Sequence, residues 1–92
     1  MLLHLMTMID KAFANVLRDL RLKKGLSQET FAFEVGIHRT YVSQLERGLK
    51  SPSLKTIRKI GLVLDVSLSE LMTLVENEMD KELSSSVRAD RD

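Results

Sequence analysis

The 92-residue sequence has no cysteine, which excludes a disulfide framework, thiolate catalysis and sulfur-held metal. Aromatics are scarce: Phe13, Phe31, Phe33 and Tyr41 are the whole set, so a core must be aliphatic, with methionine as adaptable filler. No apolar run approaches the roughly 20 residues of a membrane span. Four glycines and one proline leave few points at which regular structure must stop. The two histidines, His4 and His38, are far apart and have no ligand partners nearby, so no metal site is expected. Nor is there a carboxylate pair at useful spacing or a phosphate-binding loop. An enzyme is therefore not expected, and neither is a cofactor or a small-molecule effector.

What is present suits one compact domain, with 43% hydrophobic and 29% charged residues. Residues 1–9 are apolar but lack a basic n-region and a small-residue cleavage site, and are too short for a signal peptide. They are read as a loosely held N-terminal arm on a cytoplasmic protein, in which Met1, Met6 or Met8 could be the start. The net charge of +1 conceals a division along the chain. Residues 1–66 hold eleven Lys/Arg against six Asp/Glu, whereas residues 67–92 hold three against seven. A basic body separated from an acidic tail fits a surface that faces a polyanion.

Apolar residues recur at spacings of three and four, never at a sustained two, which predicts five helices and no strand. Phe13, Val16, Leu17 and Leu20 form the first stripe, opened near Asp10 as a possible N-cap and closed by Gly25. Ser27 caps a second helix, with Leu26 and Phe31 as a hydrophobic staple. Gly36 ends it, and a third helix carries Val42 and Leu45 as far as Gly48. After Pro52, Ser53 caps a fourth helix with the stripe Leu54, Ile57, Ile60, Leu64. Ser67 and Glu70 form a capping box for a fifth, whose stripe is Leu68, Leu71, Met72, Val75, Met79 and Leu83. The boundaries that follow are an arm at 1–9, a domain at 10–83 whose fifth helix spans 67–83, and a frayed polar tail at 84–92.

Residues 28–47, QETFAFEVGIHRTYVSQLER, meet the needs of two helices that cross sharply. Ala32 is the small residue required at the close approach, and Gly36 supplies positive φ in the turn. Phe31, Val35, Ile37, Val42 and Leu45 are apolar where the crossing must be buried. An ordinary helical hairpin could satisfy these slots too. It does not explain the outer face of the third helix, where Arg39, Thr40, Ser43 and Gln44 can all hydrogen-bond to base edges and no carboxylate occurs before Glu46. Such a pair docks with its second helix in the major groove and its first across the backbone.

The strings LRDLRLKKGLSQETFA, HRTYVSQLERG and SPSLKTIRKIGLVLDVSLSEL, with the turn at Gly36 between the first two, resemble the lambda-repressor and Cro type of domain, the Xre family. HRTYVSQLERG in so short a chain also resembles the controller proteins of restriction-modification systems. The resemblance runs from about Phe13 to Met72 and implies an all-α, five-helix DNA-binding fold. It implies base readout by Arg39, Thr40 and Ser43, with Gln44 a further candidate. It also implies that Gln28 bonds the DNA backbone and braces the third helix, and that Arg21 pairs with Glu46 as a structural lock. Arg47, Lys50, Ser51 and Lys55 are candidate phosphate contacts, with plain solubility as the alternative. Tyr41 is either a phosphate contact or a core edge, and His38 either touches phosphate or simply sits at the start of its helix.

The fifth stripe is longer than one small domain needs to cover. Met72, Val75, Met79 and Leu83 are read as a homodimer interface, against the alternative that the helix folds back over the arm and buries Met6 or Ile9. The expected function is a transcriptional regulator binding a short inverted repeat in double-stranded DNA. An antitoxin-like or anti-repressor interaction module, with DNA binding secondary, is the other class considered.

Overall fold

Three serines begin three helices. In a computed structural model of the chain, Ser27 Oγ accepts from Thr30 N at 3.0 Å, Ser53 Oγ from Thr56 N at 3.2 Å and Ser67 Oγ from Glu70 N at 3.1 Å. Each bond satisfies one of the backbone donors that a helix start leaves unpaired. At Ser67 the box is closed, because Ser67 N donates back to Glu70 Oε1 at 3.2 Å. The structure describes the backbone of residues 2–91 and the side chains of Leu2 and residues 8–84. It comprises α1 (Leu2–Lys23), α2 (Gln28–Val35), α3 (Arg39–Glu46), α4 (Leu54–Leu64) and α5 (Leu68–Arg91), with no strand among the described residues.

The expected five-helix, all-α architecture is the one observed, and every helix contributes to one core. Leu17 of α1, Phe31 of α2, Val42 and Leu45 of α3, Ile60 of α4 and Leu71 of α5 are all fully buried. Between α2 and α3, Gly36 has φ 83°, and its N–H and that of Ile37 both bond to Ala32 O, at 2.9 and 3.0 Å. No atom lies within 4 Å of a Cβ built at Gly36, so the backbone angle alone selects glycine there. Ala32 itself is buried at the crossing. The equivalent stop after α4 is made without glycine: Asp65 takes the left-handed conformation at φ 59° and its N–H bonds to Gly61 O.

Three expectations need correction. Asp10 does not open the first helix, which already begins at Leu2; the Asp10 carboxylate instead accepts a hydrogen bond from Ser51 Oγ. The run of leucine and methionine before Asp10 favours helix, and Met8 is buried. At the other end, α5 continues to Arg91, since adding residues to a formed helix costs far less than nucleating one.

The third correction concerns the stripe of α5. Val75 is only 2% exposed within the single chain, and Met72 and Met79 pack against the same core. The longest helix-helix interface in the molecule is α1 against α5, tied at its edge by Asn15 Nδ2 donating to Glu78 Oε1 at 3.2 Å. The lengthened α1 thus covers what was assigned to a second copy. Of the four interface residues expected, only Leu83 is exposed. Ile9 also stays exposed, and the Met6 and His4 side chains lie outside the described residues.

Candidate nucleic-acid interface

Glu46, the last residue of α3, gathers the surrounding elements onto one carboxylate. Arg21 Nε donates to its Oε2 at 2.5 Å and Arg21 Nη2 to its Oε1 at 2.9 Å, while Gln28 Nε2 donates to Oε1 at 3.1 Å. Arg21 also gives Nη1 to Leu26 O at 2.7 Å, in the turn between α1 and α2. One ionic cluster therefore joins the end of α1, the start of α2 and the end of α3. The Arg21 and Glu46 side chains are 8% and 4% exposed, so the pair works where solvent screening is weak. The hydrogen bonds from Glu46 raise the Arg21 pKa above its ordinary value, against the opposing pull of burial. That stability is present below the unfolded arginine pKa and lost only above it, far outside the neutral range.

With its inner face fixed by Val42 and Leu45, α3 turns the opposite face outward. Arg39 and Thr40 are exposed at its first turn, and Ser43 and Gln44 are half-buried one turn later. All four donate or accept hydrogen bonds, and together they form a continuous polar strip without a carboxylate. His38 caps the helix: its Nδ1 accepts from Thr40 N at 3.2 Å, so the ring takes the part usually played by a serine or aspartate. The position at the start of the helix was legible in sequence; the cap through a ring nitrogen was not. Tyr41 packs against the core at its edge, half-buried.

Arg47, Lys50 and Lys55 are exposed around the segment that links α3 to α4. Ser51 is exposed as well, but its hydroxyl proton is donated to Asp10. Gln28 spends one amide N–H on Glu46 and sits half-buried beside the third helix, the bracing position. Sequence reading missed Asp10 as a partner of this segment, because a contact spanning 41 residues leaves no local signal.

Two short helices crossing at an alanine, with a positive-φ glycine between them and a polar outer face on the second, define a helix-turn-helix DNA-binding domain. The helix-turn-helix family profile matches residues 17–71, more than half of the chain, and the chain belongs to that family, as the Xre resemblance implied. Among its relatives, control protein C.MunI of Mycoplasma sp is 43% identical over 67 residues, covering 72% of this chain and 90% of that protein. The clp gene regulator ClgR of Corynebacterium glutamicum, at 23% identity, shares the fold over 88% of this chain and 86% of its own, with a TM-score of 0.84. The restriction-modification controller protein C.Esp1396I, solved as a tetramer with its natural 35 base-pair operator, is 28% identical, with a TM-score of 0.70 over 77% of this chain and 91% of its own.

Proposed function

We propose that this protein is a transcriptional regulator that binds an inverted-repeat operator as a homodimer, in the manner of a restriction-modification controller. The observation that carries this reading is the polar strip of α3, held outward by the buried Arg21–Glu46–Gln28 cluster. In it Arg39 presents a two-pronged donor to guanine O6 and N7, an interaction worth about 1–3 kcal/mol of discrimination. Thr40 offers a hydroxyl and a methyl for a thymine edge, and Ser43 and Gln44 complete the readout. Gln28 at the start of α2, Tyr41 through its hydroxyl, and Arg47, Lys50 and Lys55 contact phosphate, setting register and salt dependence without specifying sequence.

Homodimerisation follows from the small number of base pairs one recognition helix can read. Two copies related by a two-fold axis place their readers about one helical turn apart, ~34–36 Å, and so read a symmetric site. The operator-bound tetramer of the related controller C.Esp1396I supports that arrangement. The interaction-module alternative drew on an unpartnered α5 stripe, and that stripe is occupied by α1 of the same chain.

Selection of bound sequences from random duplex DNA tests the reading. Wild-type protein is expected to enrich a symmetric site, and Arg39→Ala to relax preference at one position in each half. Lys50→Ala should instead weaken all sequences alike and flatten the dependence on salt by about one unit of slope. Failure of the wild-type protein to enrich any sequence at any salt concentration sinks the proposal.

A further inference from the structure

Between α3 and α4 the chain passes alongside α1 and is fastened to it at two points. Gly48, at φ +71°, lies so close that a Cβ there would sit 3.4 Å from Lys11 Cα and 3.7 Å from Asp10 O. Three residues later Ser51 Oγ donates to the Asp10 carboxylate. Lys50 stands between these two fastenings. Little packing holds the segment from below: Ser51 and Pro52 form one side of an apolar pocket of about 160 Å³ whose other walls include Ile9, Phe13 and Ile57. With open space beneath it, the position of this stretch depends on its polar tie.

The chemistry of Ser51 then decides between two roles. A serine hydroxyl has one proton to give. While Asp10 accepts it, none is left for a phosphate oxygen, and the carboxylate's own charge opposes a phosphate at that spot. We propose that Asp10 is a positioning residue for DNA binding: through Ser51 it holds the segment 48–52 so that Lys50 meets the backbone, and Ser51 is an anchor and not a phosphate ligand. This inference rests on the DNA-binding reading above. It assigns a role to a residue that lies outside the family match, which begins at residue 17.

The test compares Asp10→Ala, Ser51→Ala, the double variant and Asp10→Asn for affinity to the selected site and to a scrambled duplex, over a salt series, after melting curves establish that each is folded. A hydrogen bond to a charged acceptor suggests that each alanine variant loses about five- to tenfold on the selected site, with less than about twofold change on the scrambled duplex. The double variant should be no weaker than either single one, because one shared bond is removed only once. Asp10→Asn keeps the acceptor and drops the charge, so it should keep the selected-site affinity and bind the scrambled duplex more tightly. Additive losses, or a flattened salt slope in Ser51→Ala alone, overturn the proposal by making Ser51 a direct phosphate ligand. Hydrogen exchange on free protein separates this inference from the reading beneath it. If no DNA site is selected at all, faster exchange of residues 48–52 in both alanine variants still establishes the anchor, and unchanged exchange rejects it.

Discussion

The α2–α3 pair and the α1–α5 pair are built on different principles. α2 and α3 have eight residues each, below the roughly 12–15 at which an isolated helix becomes even marginal in water, whereas α1 has 22 and α5 has 24. The short pair keeps its geometry through singular features: Ser27 and His38 as caps, Gly36 in the turn, and the Glu46 cluster behind the recognition helix. The long pair is held by repeated apolar contact, in which Leu17, Leu71 and Val75 are each one of many. A surface that must meet base edges needs its orientation set to within a fraction of an ångström. Directional polar bonds supply that, while the long helices supply the area on which the short ones rest.

The sharpest way to break this contrast is at Glu46. Glu46→Ala leaves the Arg21 guanidinium buried and unpaired, a loss of about 3–5 kcal/mol, which for a domain of this size lowers the melting temperature by tens of degrees. Replacing Arg21 and Glu46 together with leucine and methionine should recover much of the stability while leaving Gln28 without its acceptor. Thermal unfolding followed by circular dichroism measures both. A melting temperature unchanged in Glu46→Ala would show that apolar packing alone sets the recognition helix.

Effects in the long pair should be smaller and should not depend on protein concentration. Val75→Ala removes two methyl groups from a packed site and is expected to cost about 2 kcal/mol, whereas Leu83→Ala, at an exposed position, should stay within about 0.5 kcal/mol. Melting at several concentrations, paired with sedimentation, separates packing within the chain from packing between copies. A Val75→Ala loss that grows on dilution, or a fall in mass, would return Val75 to an interface between subunits.

The same contrast explains what was legible in the sequence. Local chemistry announced itself: Ser27, Ser53 and Ser67 each mark a helix start, and Gly36 marks the turn, because caps and positive φ need particular residue types within a few positions. The Arg21–Glu46 pair came from the resemblance to Xre proteins, since no spacing rule links two residues 25 positions apart. Long-range pairing was not legible. Asp10 reads as a helix start until its acceptor role toward Ser51 is seen, and an apolar stripe on α5 states that something covers it without saying which surface does. Asp65 was missed at the end of α4 because a non-glycine residue adopts the left-handed angle there.

Between the two regimes stands the capping box at the start of α5, where a long apolar helix begins on a local polar device. Bonds from the Ser67 backbone and hydroxyl hold the Glu70 carboxyl below its ordinary pKa. A group whose folded pKa is depressed binds fewer protons in the folded than in the unfolded state across the interval between the two values, so stability rises with pH there. The contribution is complete above the ordinary carboxylate pKa and disappears as pH falls through the depressed one. Glu70→Gln retains an acceptor for Ser67 N but has no proton to exchange. Its melting temperature should therefore lie slightly below wild type at neutral pH, and the gap should close as the solution is acidified through the carboxylate range. The carboxyl is exposed, so the neutral-pH difference should be the smallest of the effects considered. A gap that stays constant with pH would mean that the box acts through geometry alone, as the turn at Gly36 does, and that its charge contributes nothing to starting the long helix.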